Sequence, residues 1–261
     1  MREFTDQLGK KIVLQNIPQR VISIVPSQTE LLFDVGLSDK IIGRTKFCIH
    51  PKPLIDKVQK VGGTKNLTID LIQSLQPNLI IANKEENVKE QIEALEKICP
   101  VWISDITTID EALQMMRSIG EIFEVQKNIA QLIETIENNF AQLQSFEKQK
   151  VIYLIWQEPM MTIGGDTFIH QLLSKAGLVN VFSHQNRYPE ITDEQIIASD
   201  AALILLSSEP YPFTEKHKTA FENKFPNKKI VLVDGEMFSW YGSRMKLAAN
   251  YFLQLRKNRI G

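Results

Sequence analysis

EVQKNIAQLIETIENNFAQLQSF, Glu124–Phe146, lies near the middle of the 261-residue chain and contains neither Gly nor Pro. Its apolar residues recur at helical spacing: Val125, Ile129, Leu132, Ile133, Ile136, Phe140 and Leu143. A 3.6-residue period predicts one amphipathic helix of about six turns, roughly 33 Å long. On either side the pattern changes to short apolar strands alternating with helices, and each flank is long enough to form a lobe. Two α/β lobes joined by one long helix are therefore expected. A helix resists bending, so such lobes should move little, with a ligand held in the cleft between them. An ordinary crossover helix inside a single α/β domain fits the same stretch.

Composition narrows the function classes. Charge is balanced, 30 basic against 31 acidic residues, with no basic patch that calls for nucleic acid or an anionic membrane. No run approaches the apolar length of a membrane span. Cys48 and Cys99 lie far apart and have no CxxC partner, so zinc-ribbon and thioredoxin-like readings fail; free thiols and a single disulfide both remain open. The N-terminus, MREFTDQLGKKIVL, carries no apolar signal core, which fits either a removed signal or a cytoplasmic protein.

Reading outward, Phe4–Leu14 is expected to be a hairpin turning at Gly9, and Arg20–Val25 a strand buried on both faces. Ser27–Glu30 fits a capping box that opens a helix ending at Gly36. The turn lacks GxGxxG, which argues against a dinucleotide site. Ile41–Arg44 is the next strand, followed by an irregular segment to Gly62-Gly63. Ile69–Leu75 is a helix, Asn78–Ala82 a strand, and NKEEN (83–87) opens a helix through Ile98. Pro100–Ser104 is a strand and Ile109–Ile119 a helix, so the first half should build a mainly parallel sheet covered on both faces.

After the long helix the pattern restarts. Lys150–Trp156, Ala201–Ser207 and Lys229–Asp234 read as strands; the segment from Asp166 to Gly177, Asp193–Ala198 and Thr214–Lys224 read as helices, the first capped by Asp166. The loop GEMFSWYGSR (235–244) leads into a last helix. LLFDVGL and LLSKAGL, starting at Leu31 and Leu172, echo one another at equivalent places in the two halves. Ligands of open α/β sheets bind at the carboxyl ends of strands, which directs attention to those strand-to-helix turns.

Nothing in the sequence builds a catalytic site: there is no HExxH, no close His/Cys cluster and no GxSxG elbow. His170 reads as a packing or surface residue, while His50 and His184 fall in irregular loops where a shared metal or haem is an alternative. Phe47, Trp156, Tyr188, Phe238, Trp240 and Tyr241 fall in loops or at strand ends, the composition of a site for a large, flat, partly apolar ligand. Trp240 and Tyr241, adjacent and before a Gly, are not expected to be buried together. The fork of Arg244 suits a ligand amide, carboxylate or phosphate, or else belongs to a surface side chain. Asn83, Glu85, Glu86 and Asn87 read either as polar groups of the site or as acids favoured at a helix start.

RVISIVPSQTELLFDVGLSDKIIGRT, the Gly-Gly pair with its following helix, and LQPNLIIA together resemble the N-terminal lobe of ABC-importer substrate-binding proteins for vitamin B12, haem and ferric siderophores. The resemblance extends through GGDTFIHQLLSKAGLVNVF to DGEMFSWYGSR, and FCIHP, NKEEN and SWYGSR look most like cobalamin-binding members. It implies two Rossmann-like α/β lobes joined by a single long rigid helix, the class III periplasmic-binding-protein plan. The boundaries expected are an N-terminal lobe over 1–121, a connecting helix over 122–148 and a C-terminal lobe over 149–261.

By that resemblance the protein is a non-enzymatic carrier that binds a corrinoid and delivers it to an ABC permease dimer with its ATPase subunits. Ligand-binding residues are then Phe47, His50, Asn83, Glu85, Trp156, Tyr188, Trp240, Tyr241 and Arg244. His50 and Asn83 stand where the vitamin B12-binding members place a Tyr and a Trp, and Tyr188 where they place a Trp. Permease docking falls to Asp70 and Glu194, one carboxylate per lobe. No resident cofactor or metal is implied, the corrinoid being cargo, and the expected state is a monomer outside the cytoplasm, periplasmic or membrane-anchored. Haem, a ferric siderophore or a metal is the alternative cargo; a cytoplasmic corrinoid-handling protein is the alternative role.

Overall fold

The computed structural model describes residues 1–143 and 146–260, which divide into two compact units. The first comprises residues 1–106, 110–134 and 241–244; the second comprises 107–109, 135–240 and the residues from Met245 on.

In the first unit, β1 (Arg2–Thr5) and β2 (Lys11–Leu14) form the expected antiparallel hairpin, with Gly9 at φ +82° in its turn. β3 (Val21–Ser23), α1 (Pro26–Asp34), β4 (Ile41–Arg44) and β5 (Gln59–Lys60) follow. Next come the short antiparallel pair β6 (Gly62–Gly63) and β7 (Asn66–Leu67), then α2 (Ile69–Ser74), β8 (Leu79–Asn83), α3 (Lys89–Leu95) and β9 (Val101–Ser104). The sheet runs β5-β4-β3-β8-β9, all parallel. The apolar runs that suggested doubly covered strands are buried throughout, with Ile22, Ile24, Ile72, Ile80, Ile92 and Leu95 in one core. Each such side chain contributes about 1.5–3 kcal/mol.

The helices expected over 109–119 and 124–146 appear as α4 (Ile109–Phe123) and α5 (Gln126–Ala141), the second shorter than expected. Glu124 takes the left-handed conformation at φ +58° and breaks the helix between them. The break lets α5 fold back: a Cβ on Gly120 would lie 3.1 Å from Ile129 Cγ1, so the two helices meet where no side chain separates them. With 16 residues α5 is about 24 Å long. Residues 126–134 belong to the first unit and 135–141 to the second. Gln144 and Ser145, which the expected helix included, lie outside the described residues.

The second unit contains β10 (Gln149–Leu154), the pair β11 (Trp156–Gln157) and β12 (Met160–Met161), α6 (Phe168–Lys175) and β13 (Leu178–Asn180). It continues with α7 (Asp193–Ala198), β14 (Leu203–Ser207), α8 (Glu215–Lys224), β15 (Lys229–Val233), α9 (Glu236–Ser239) and α10 (Met245–Leu255). Its parallel sheet runs β13-β10-β14-β15, the same order as β4-β3-β8-β9. The LLxxxGL echo is thus structural. Leu31, Leu32, Leu172 and Leu173 are buried on α1 and α6, and Gly36 (φ +89°) and Gly177 (φ +73°) follow those helices.

Three local expectations are corrected. Ser27–Glu30 makes no capping box, because Pro26 begins α1 after Val25, and both Ser27 and Glu30 are buried. α6 is capped by Thr167, whose hydroxyl accepts the His170 N–H at 3.2 Å, whereas Asp166 accepts the Arg187 N–H at 2.5 Å. NKEEN forms a turn, and α3 starts only at Lys89.

Candidate functional site

A layer of buried polar side chains occupies the carboxyl ends of the first unit's strands: Ser23, Gln28, Thr29, Arg44, Thr45, Asn83 and Ser104. Such groups are tolerated only when they bond one another. Asn83 shows how. Its Oδ1 accepts the N–H groups of Glu85 at 2.9 Å and Glu86 at 3.0 Å, and its Nδ2 donates to Ser104 Oγ at 3.0 Å. Asn87 Oδ1 in turn accepts the Asn83 N–H at 2.9 Å. This Asx turn competes with the helix and explains why NKEEN stays outside it. The amide of Asn83 is therefore committed to the scaffold, and Glu85 is half-buried, its carbonyl accepting Lys65 Nζ at 2.5 Å.

Arg44 closes the loop after β4 by donating from NH1 to the carbonyls of Cys48 at 3.0 Å and Thr45 at 3.3 Å, with Asp56 Oδ1 3.8 Å from NH2. Cys48 packs beneath it, its sulfur 3.1 Å from the Thr29 hydroxyl, and burial pushes its thiol up. Both cysteines are free, and burial pushes Cys99 up to about 12. That loop holds Phe47 out at 50% exposure and leaves His50 half-buried.

The segment from Tyr241 to Arg244 also belongs to the first unit. Arg244 is neither a surface side chain nor an open fork: Nε and NH2 donate to the two oxygens of Glu30, at 2.8 and 2.6 Å. Trp240 and Tyr241 are both buried, against expectation, and Gly242 at φ +93° next in the chain lies against α1. Burial pushes the Tyr241 phenol well above its ordinary range, with the polar side chains of Gln28, Ser27 and Ser104 close by opposing the shift.

In the second unit Trp156 stands 38% exposed, its indole N–H donating to the Glu158 carbonyl at 3.1 Å and its ring 5.5 Å from that of Tyr211. Tyr188 is half-buried beneath the Arg187 guanidinium, 5.6 Å from its ring centroid. Its loop is clamped by Gly164 and Gly165, whose N–H groups donate to the carbonyls of Arg187 at 2.7 Å and Gln185 at 2.9 Å. A Cβ on either glycine would come within 2.4 Å or less of a carbonyl oxygen, so only glycine fits. Trp240 hydrogen-bonds Glu209, whose carboxyl burial pushes up to about 7.

Asp70 and Glu194 are both exposed, and each is the second residue of a six-residue helix after a threonine. α2 and α7 precede β8 and β14, which pair with β3 and β10, so the two carboxylates hold equivalent positions in the two units. The Thr192 hydroxyl holds Glu194 below the usual carboxylate range. Among the described residues no group of three or more His, Cys, Asp or Glu can hold a metal ion, and no helix is long and apolar enough to cross a membrane. His170 sits half-buried on α6, and desolvation lowers its pKa.

Sequence reasoning missed Glu30, Glu209 and the clamp of Gly164 and Gly165. Only the adjacent glycines were visible as a signal, and they marked a loop without showing what it gripped.

Residues 21–228 match the family model described as Periplasmic binding protein. An uncharacterised ABC transporter substrate-binding lipoprotein, YvrC of Bacillus subtilis, is 24% identical over 255 residues, covering 92% of this chain and 80% of its own length. A protein of Vibrio campbellii named vitamin B12-binding protein is 26% identical over 195 residues, covering 72% of this chain and 70% of its own. The crystal structure of a possible iron-binding, periplasmic solute-binding protein from Staphylococcus epidermidis superimposes with a TM-score of 0.78 at 21% identity, covering 94% of this chain and all of that one.

Proposed function

The chain belongs to the periplasmic binding protein family, and from that premise we propose that it carries a corrinoid of the vitamin B12 type to an ABC permease. The coarser role, substrate-binding component of an ABC importer for B12, haem or siderophore cargo, follows from its relatives. A protein of this kind binds and releases its cargo without chemistry, acts outside the cytoplasm, and needs no resident cofactor. Its partners are the permease dimer and the ATPase subunits.

The observation that favours a corrinoid is the charge state of the strand-end layer. Arg244 is paired with Glu30 through two short bonds, and Arg44 donates to the Thr45 and Cys48 carbonyls with the exposed Asp56 3.8 Å away. A ferric catecholate siderophore carries a net negative charge and calls for cations free to meet it, whereas a ferric tris-hydroxamate is neutral and is not set apart by charge. Cyanocobalamin is neutral, broad and amide-fringed, and suits exposed or half-buried rings such as Phe47, Trp156 and Tyr188. Named vitamin B12-binding relatives support the same cargo.

Calorimetric titration with cyanocobalamin, haemin and a ferric catecholate siderophore tests this. Cobalamin binding at micromolar dissociation constant or tighter is the expected result. Haemin binding with a shifted Soret band and no cobalamin binding would transfer the cargo to haem, with His50, His184 or Tyr188 as axial ligand. Binding of the siderophore alone would overturn the charge argument.

A further inference from the structure

Glu30 and Arg244 are 8% and 7% exposed and make a two-bond pair inside the first unit. They sit at the two ends of a small assembly. Glu30 lies on α1, one residue from Thr29 and three from Ser27. Arg244 ends the segment that begins with Tyr241, which is 6% exposed and whose phenol lies close to Ser27, Gln28 and Ser104. Between them Gly242, in the left-handed conformation, places its backbone so near α1 that a Cβ would stand 3.5 Å from Leu31 Cβ and 3.6 Å from the Ser27 carbonyl. The segment thus meets α1 closely at Gly242 and at Arg244, and only the second contact is charged.

We propose that Glu30 is a positioning residue: by holding the Arg244 fork it seats Tyr241 in the strand-end polar layer, and Arg244 serves the site through this pair rather than by touching cargo. A bidentate pair fixes direction as well as distance, because a planar guanidinium meets a carboxylate edge in one orientation. An apolar substitute of similar volume can replace the packing of a buried pair without replacing that orientation. The buried location also explains why Arg244 has so little surface to offer a ligand.

The separation of positioning from mere stability sets the test. The variants are Glu30→Gln, Glu30→Asp and the double substitution Glu30→Leu with Arg244→Leu. Three quantities are read for each: melting temperature, cyanocobalamin affinity, and ultraviolet titration of the tyrosines in the ligand-free protein. The chain has five tyrosines. Burial raises the Tyr241 phenol above the range, near about 10, where exposed tyrosines titrate. The double apolar variant is expected to keep a melting temperature close to wild type, lose about tenfold or more in affinity, and show one further tyrosine titrating in the ordinary range. That extra tyrosine disappears when Tyr241→Phe is added. Glu30→Asp keeps the charge and recovers part of the affinity.

An unaltered affinity and tyrosine titration in the double variant would reduce the pair to a stabilising contact and overturn the proposal. Tighter binding by Glu30→Gln would overturn it from the other side, since a liberated Arg244 would then be a cargo contact. Should the double variant not fold, Glu30→Gln and Glu30→Asp decide the matter by the same tyrosine readout. The affinity arm rests on the corrinoid reading. The titration arm needs no ligand, so a wild-type protein that ignores cobalamin defeats the cargo reading while leaving the positioning role to be decided by the tyrosines.

Discussion

The Ser239 hydroxyl donates to the Glu209 carboxylate, joining the loop after β14 to α9 in the second unit. Trp240 hydrogen-bonds the same carboxylate, and Asp234 and Glu236 lie close enough to oppose its charge. Burial is the largest influence and lifts Glu209 from 4.5 to about 7. The folded protein therefore holds this proton more tightly than the unfolded chain. Stability from this group is full below about pH 4.5 and is lost as pH rises through about 7, a difference on the order of 3 kcal/mol. Glu209→Gln should flatten that part of the profile, read as urea midpoints between pH 4.5 and 8. An unchanged slope would show that Glu209 titrates normally.

Gly165→Ala should disturb the loop that carries Tyr188. The new Cβ would meet the Ser183 carbonyl oxygen at 2.3 Å, and the loop must shift to admit it. A loss of about 2–3 kcal/mol in urea unfolding is expected, together with weaker cargo binding. An equal urea midpoint would mean that the clamp yields at no cost.

Trp156→Ala and Phe47→Ala should each weaken cyanocobalamin binding by about tenfold while leaving the melting temperature nearly unchanged. Both rings are substantially exposed, so little core packing is lost when they are truncated. Unaltered affinity in either variant would remove that ring from the site.

Asp70→Lys and Glu194→Lys should leave cargo affinity intact and reduce permease-dependent uptake several-fold each, more when combined. Each carboxylate is exposed at the start of its helix, where reversal of charge changes encounter with a basic partner without disturbing a core. Transport assays in reconstituted vesicles would check this. Normal uptake by the double variant would relocate the dock.

The sequence alone determined the repeating βα plan. Strands such as Leu203–Ser207 announce themselves because a strand covered on both faces must be apolar at every residue. The echo of LLFDVGL in LLSKAGL marked equivalent helices, since the same buried face and the same left-handed glycine are demanded in each unit. Aromatics outside helices were legible as a group, but only folding separated the exposed Trp156 and Phe47 from the buried Trp240 and Tyr241.

Only the tertiary structure decided what the polar residues do. The sequence places a helix on each side of Glu124, but only folding shows that residue left-handed, with Ile129 packed where Gly120 lacks a side chain. Glu30 looked like the end of a capping box, and Arg244 like an open fork, because a pair separated by 214 positions leaves no local pattern. Apolar burial is written residue by residue and can be read along the chain. A buried charge is tolerable only with its partner, and which partner reaches it is settled by folding.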